Sequence, residues 1–178
     1  GWMPRAHPLV RSDGAVILPL ANENYSTAAM AITKDAGRTW TISNAVPEGG
    51  VIQPSVVEFP DGEMAAFFRN GRLTNCILRS NSSDGGMTWS ALENTDLPHP
   101  GSGIEAILLE NGHLAMIYND KKDDPRDSLA VSISTDRGKT WKWTRHLEKT
   151  PGQRFDYPSL VQDKDGSLHA TYSVNTKT

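Results

Sequence analysis

The sequence contains a single cysteine, Cys76, and no apolar run that approaches the roughly 18 residues of a membrane-spanning helix. An intrachain disulfide is therefore excluded, and we expect no membrane association. The formal net charge is −3, so the basic surface typical of nucleic-acid-binding proteins is also missing. No two histidines stand at a metal-ligand spacing such as His-x-x-x-His, and we expect neither a metal nor another cofactor.

Helical periodicity is lacking as well, because no window sustains apolar residues at positions i, i+3, i+4 and i+7. Instead, 15 glycines and 11 prolines are spread along the chain, with short apolar runs between them. This pattern predicts many short strands joined by tight turns. No signal peptide is recognisable, so localisation stays unknown, although a secreted or periplasmic location is compatible with the sequence.

An eight-residue motif, Ser/Thr-x-Asp-x-Gly-x-Thr-Trp, occurs three times, with its aspartates 49 and 52 residues apart. We expect each aspartate to accept the backbone N–H two residues on, as in an Asx turn, and each tryptophan to pack between neighbouring repeats. Carboxylates one repeat apart are too scattered to share a metal ion, which favours a structural role. The motif residues are Asp35, Gly37, Trp40, Asp84, Gly86, Trp89, Asp136, Gly138 and Trp141.

A second repeat, an Asp-Gly or Asn-Gly turn between two apolar strands, alternates with the first. Its glycines are Gly14, Gly62, Gly112 and Gly166, at spacings of 48, 50 and 54 residues. Such dipeptides are strong hairpin signals, so each unit of about 50 residues holds four antiparallel strands. That is a β-propeller blade, and a solenoid ranks lower because each unit forms its own sheet. We predict an all-β, single partial propeller over residues 1–178, with blades at 5–47, 51–97 and 101–147 and a partial blade at 154–178.

The segments between these motifs resemble the sialidase (neuraminidase) superfamily, in its bacterial branch of BNR-repeat (Asp-box) proteins. Three stretches carry the resemblance: Gln53-Pro-Ser-Val-Val-Glu-Phe-Pro-Asp-Gly with a following Arg69, Arg126 before Leu129-Ala-Val-Ser-Ile-Ser, and Tyr157-Pro-Ser-Leu. The resemblance covers nearly the whole chain. It implies the C-terminal part of a sialidase-type propeller of about three and a half blades, whose complete form has six.

The resemblance also implies roles for individual residues. Arg69 and Arg126 would bind a substrate carboxylate, for which arginine offers bidentate, charge-assisted hydrogen bonds. Tyr157 would be the nucleophile, since a neutral phenol avoids repulsion from that carboxylate. Gln53 stands where the family has the glutamate that activates this tyrosine, and an amide cannot accept the phenolic proton.

Other interpretations of these residues stay open. Arg69 and Arg126 could be solvated surface arginines, with Arg72 and Arg79 competing for the role of Arg69, and Tyr157 could be a buried core residue. Neither Glu58 nor Glu105 is assumed to replace the missing glutamate. The family's general acid and third arginine belong to earlier blades, for which Arg5 is a weak substitute. Further pocket-lining candidates are His7, His169 and the loop 21–25.

Three functions fit the sequence. The first is a sialidase-like glycoside hydrolase, active on sialic acid or a related acidic sugar in the intact protein. The second is a non-catalytic carbohydrate-binding propeller, which the Gln53 substitution favours. The third is a structural or partner-binding scaffold. The expected partners are a glycan or acidic sugar and either missing N-terminal blades or a second copy that completes the propeller.

Overall fold

The computed structural model describes residues 1–47, 49–70 and 74–176, and all regular secondary structure in these ranges is β-strand. The strands form three four-stranded antiparallel sheets and one two-stranded sheet, and within each sheet the strands pair in chain order. Such sheets are the blades of a propeller, which confirms the predicted all-β partial propeller. The described residues contain no helix long and apolar enough to cross a membrane.

Each sheet corresponds to one unit of the repeat, although the exact limits of the blades remain a prediction. The first blade contains β1 (Leu9–Val10), β2 (Val16–Asn22), β3 (Thr27–Thr33) and β4 (Thr41–Ile42). The second contains β5 (Val51–Glu58), β6 (Met64–Asn70), β7 (Cys76–Ser82) and β8 (Glu93–Pro98). The third contains β9 (Glu105–Leu108), β10 (Leu114–Asn119), β11 (Ser128–Ser134) and β12 (Trp143–Lys149), and the fourth contains β13 (Gln153–Gln162) and β14 (Leu168–Thr176).

The inner hairpin of every blade turns at its Asp-Gly or Asn-Gly pair. In the first blade, Gly14 has a φ of 83°, which glycine adopts without a Cβ clash. The preceding Asp13 closes an Asx turn, since its Oδ1 accepts the N–H of Ala15 at 3.1 Å. Equivalent bonds join Asp61 to Glu63, Asn111 to His113 and Asp165 to Ser167.

The Asp-box turns lie between the third and fourth strands, and their hydrogen bonds differ from the expected Asx pattern. Asp35 Oδ1 accepts the N–H of Thr39, four residues on, at 2.9 Å, and Oδ2 accepts the Thr39 hydroxyl at 2.6 Å. The N–H two residues on, that of Gly37, instead donates to the Thr33 hydroxyl at 2.9 Å. Hydrogen bonds from Thr39 and Thr33 lower the pKa of Asp35 to about 2. The N–H two residues after the aspartate is thus bonded to the Ser or Thr hydroxyl at the start of the motif, and not to the aspartate as expected. The motifs of Asp84 and Asp136 have the same arrangement.

The Asp-box tryptophans pack between blades, as predicted, wherever the chain supplies a preceding blade. Trp89 of the second blade is only 6% exposed and belongs to a core cluster with Ile17 of the first. Trp141 of the third blade packs edge-on against Phe67 of the second, with ring centroids 6.2 Å apart. Trp40 of the first blade is 45% exposed. The face of the first blade that carries Trp40 is therefore not covered by another blade, whereas the corresponding faces of the second and third blades are.

Candidate functional site

The site is built from equivalent positions of the repeat. Nine residues before each turn glycine stand Arg5, Gln53, Gly103 and Tyr157. The guanidinium of Arg5 bonds the carbonyl of Ile104 and, at 2.6 Å, that of Pro158. It lies over Gly103, where an added Cβ would be 2.9 Å from Arg5 Nη2. Because the third blade has a glycine at this position, there is room for the arginine of the first blade.

Two of these positions, Gln53 and Tyr157, have an unusual backbone. Both residues have a φ of 51°, and the strand pairing shifts at both, between Ile52 and Ser55 and between Asp156 and Ser159. A proline follows each residue and cannot donate a hydrogen bond to the sheet, which suits a β-bulge. A non-glycine residue in this region costs roughly 1–3 kcal/mol, and such strain clusters at functional sites.

Gln53 connects a cation to a carboxylate. Its Oε1 accepts a hydrogen bond from Arg69 Nη1 at 3.2 Å, and its Nε2 donates to Glu23 Oε1 at 2.7 Å. Tyr157 lies close enough to Arg69 to interact with its charge. Burial lowers the pKa of Arg69 and nearby Arg126 lowers it further, while Tyr157 and Glu23 act in the opposite direction. Arg69 is thus the centre of a network that reaches the tyrosine, the glutamine and a second arginine.

Arg126 is held mainly by an ion pair. Its Nη1 lies 2.5 Å from Asp156 Oδ1, and its Nη2 donates to the Gly101 carbonyl at 2.9 Å. Asp156 also accepts a bond from Arg154 at 2.9 Å. Burial opposes ionisation of Asp156, but the two arginines outweigh it and lower its pKa. Arg126 Nε is buried and has no hydrogen-bond partner among the described residues, although Asp124 Oδ1 lies 3.7 Å away.

The predicted site residues line two different cavities. Arg69 and Arg126 line the first, of about 370 Å³, together with His99 and Lys122. Tyr157 lines the second, of about 180 Å³, with Arg5, His7 and Glu105. The tyrosine is 55% exposed, so it is not a core residue. The structure therefore brings the two arginines together and places the tyrosine in another cavity, close enough to Arg69 for the two groups to interact electrostatically.

Other candidates lie elsewhere. Arg79 bonds Asn81 at 3.0 Å and lies 5.9 Å from the centroid of the Phe67 ring, away from both cavities. Glu58 accepts the N–H of Ser12 at 2.7 Å. His169 pairs with Asp163 at 3.8 Å on the last hairpin. Arg72 lies outside the described residues.

His99 supports the wall of the arginine cavity as a neutral ring. Its Nδ1 accepts the N–H of Gly101 at 3.1 Å, and its Nε2 lies 2.7 Å from the Ser102 carbonyl, to which it donates. These bonds fix the loop whose Gly101 carbonyl holds Arg126. Burial lowers the pKa of His99 to about 4, and Arg69 and Arg126 lower it as well.

We expect stability to fall on acidification because of His99. Between its pKa of about 4 in the folded chain and about 6.5 in the unfolded chain, the unfolded state binds more protons, so the free energy of unfolding decreases as pH falls through this window. The contribution is about 3 kcal/mol in total. Urea denaturation from pH 7 to 4 would measure it, with His99→Gln as the reference because it lacks the titrating ring. Parallel pH dependences of the two proteins would contradict the prediction.

Sequence reasoning undervalued three groups: Arg5, Glu23 and Glu105. Arg5 is half-buried, and burial is the main cause of its lowered pKa, with Arg69 lowering it further. The signal that could have found it is its alignment with Gln53 and Tyr157 before the turn glycines. Glu23 gave no comparable signal, since only the folded loop brings it to Gln53.

Comparison with known proteins agrees with this architecture. The model of the BNR repeat-like domain family matches residues 3–170. Curated relatives include an anhydrosialidase from Macrobdella decora, 25% identical over 89% of this chain, and a sialidase from Clostridium perfringens, 29% identical over 74%. The chain spans 23% and 38% of their lengths. The NanB sialidase from Streptococcus pneumoniae superimposes with a TM-score of 0.76 at 20% identity, over 93% of this chain and 26% of that one. The chain therefore belongs to the BNR repeat-like domain family, with sialidases among its relatives.

Proposed function

We propose that the paired cavities bind an acidic sugar through its carboxylate, and that the intact protein is a sialidase-like glycoside hydrolase. The observation that carries this proposal is that Arg69 and Arg126 line one cavity and that Tyr157, which lines the next, lies close enough to Arg69 to interact with its charge. A sugar bound across the two would place its carboxylate on the arginines and its ring beside the tyrosine.

The electrostatics favour an anionic ligand. Arg126 lies close enough to Arg69 to disfavour the charge of Arg69, and both arginines are partly buried. A bound carboxylate would relieve this repulsion and would receive charge-assisted hydrogen bonds in a site partly removed from water. The buried Nε of Arg126 is a donor that such a ligand could use.

A second function, sugar binding without hydrolysis, is favoured by one observation. Gln53 uses both ends of its amide, accepting from Arg69 and donating to Glu23. A glutamate at position 53 would put two carboxylates 2.7 Å apart, which would raise the pKa of one of them. The network therefore suits the amide that is present, and the amide cannot act as the base for Tyr157.

The uncovered first blade supports the proposal that further blades are required. Trp40, Val10 and Ile42 are all exposed on this blade, while the equivalent tryptophans at the two internal junctions pack against a neighbouring blade. Either other blades of a longer polypeptide or a second copy of this chain would cover such a surface.

The test of sugar binding compares methyl α-sialoside with its carboxylate methyl ester by calorimetry or ligand-observed NMR. The ester keeps the ring and the hydroxyl groups but removes the charge. We expect the acid to bind about 100-fold more tightly, because a carboxylate accepts charge-assisted hydrogen bonds from two arginines. Equal affinities of the two compounds, or no binding of either, would refute the proposal.

A further inference from the structure

His7 and Glu105 form an ion pair at the wall of the tyrosine cavity. His7 Nδ1 lies 2.9 Å from Glu105 Oε1. The histidine side chain is 55% exposed, while that of the glutamate is buried. Glu105 also accepts the backbone N–H of His7 at 3.1 Å and that of Leu160 at 2.8 Å. The carboxylate is thus bonded from the first and fourth blades and holds the imidazole at the cavity.

The pair fixes which nitrogen of the His7 ring faces Glu105. An ionised carboxylate only accepts hydrogen bonds, so Nδ1 carries its proton whether the ring is neutral or charged. The other nitrogen, Nε2, has no hydrogen-bond partner among the residues that the structure describes. Nε2 is therefore the ring nitrogen that is available to a ligand, while Glu105 keeps the ring in place.

Building on the proposed sugar site, we infer that His7 is a ligand-contacting residue positioned by Glu105, and that its protonation sets the affinity of the site for acidic sugars. His7 shares the cavity of about 180 Å³ with Tyr157 and Arg5. A protonated imidazole adds one positive charge beside the arginines and donates from Nε2 to a sugar oxygen.

His7 is the one histidine among the described residues that line the tyrosine cavity. The charged and titratable groups that face it are Glu105, Arg5 and Tyr157, and Glu58 lines an adjoining cavity. Carboxylates ordinarily titrate near pH 4 and tyrosine and arginine near or above pH 10, outside the range from 5.5 to 8. His99 of the arginine cavity stays neutral in that range because burial lowers its pKa to about 4.

The experiment measures the affinity for methyl α-sialoside at pH 5.5 and pH 8. We expect the parent chain to bind about tenfold more tightly at pH 5.5, since one added charge at this range gives an effect of that order. His7→Gln should bind weakly at both pH values, and His7→Lys should bind tightly at both. Glu105→Gln should move the midpoint of the profile to lower pH, because the protonated ring loses its counter-charge. A merely structural carboxylate would not shift that midpoint.

His169→Gln is the matched control, because His169 is also an exposed histidine beside a carboxylate, Asp163, but lines neither cavity. It should retain the profile of the parent chain. If His7→Gln kept the pH dependence of the parent chain, the inference would be overturned. The proposed sugar site would still stand if methyl α-sialoside continued to bind more tightly than its methyl ester. Absence of binding at both pH values would overturn the proposed function together with the inference.

Discussion

The chain by itself is expected to cleave a fluorogenic aryl sialoside at least about 10⁴-fold more slowly than a complete sialidase. A positioned general acid or base contributes about 10²–10⁴-fold each. The resemblance requires one of each, and Gln53 replaces the base with an amide. None of the residues of this chain that were matched to the family is its general acid.

The nearby carboxylates do not replace the base. Glu105 is already ion-paired with the His7 ring and accepts hydrogen bonds from the His7 N–H and the Leu160 N–H. Glu23 accepts a hydrogen bond from the Gln53 amide, and Gln53 in turn accepts one from Arg69. Proton transfer requires hydrogen-bond reach of the reacting group, and neither glutamate has a hydrogen bond to Tyr157 within the described part of the chain.

A two-site exchange makes this prediction sharper. Gln53→Glu with Glu23→Gln swaps the carboxylate and the amide and retains the bridge between them. The resemblance to sialidases assigns the base for Tyr157 to position 53, and an aryl leaving group departs as an anion without an acid, so the exchanged protein should gain about 100-fold over the parent chain. If the parent chain turned over substrate at a rate near that of a complete sialidase, the catalytic roles would have been assigned to the wrong residues. The mass in solution should be measured alongside, because a second copy would repeat Gln53 and supply no acid.

The blades could be predicted because their signals are local. The turn at Asp13-Gly14 depends only on the positive φ of the glycine and on the Asx hydrogen bond of the aspartate. The hydrogen bond of the first Asp-box likewise joins residues within a five-residue segment, from Asp35 to Thr39. The packing of the tryptophans followed from the repeat, since each must cover the blade before it. These features depend on residues that are close in sequence or related by a fixed offset.

The connections within the candidate site could not be predicted in the same way. His7 and Glu105 are 98 residues apart, and Arg5 and Pro158 are 153 apart. Such contacts depend on how the blades twist around the axis. The positive φ angles of Gln53 and Tyr157 could not be predicted from either residue alone. Both bulges nevertheless share the sequence X-Pro-Ser, which a comparison of the blades reveals.

Arg126→Ala is expected to weaken the binding of methyl α-sialoside by at least about 30-fold. The change removes the guanidinium whose Nε is buried without a partner, and truncation of a buried charged group costs about 2–5 kcal/mol. Arg126→Lys should recover only part of the affinity, because an ammonium cannot give the bidentate geometry of a guanidinium.

Loss of Arg126 also takes one partner from Asp156, so that effect must be separated from loss of the ligand contact. Arg154→Ala is the matched control, because it removes the other guanidinium bonded to Asp156 at 2.9 Å but lines neither cavity. It should weaken binding severalfold at most, and Arg145→Ala, at an exposed position of β12, should not change it. Calorimetry at pH 5.5 would compare the variants, with circular dichroism to verify their folding. Unchanged affinity of a folded Arg126→Ala protein would remove the arginine cavity as the carboxylate site, because no other described residue there combines a buried unpaired donor with a positive charge.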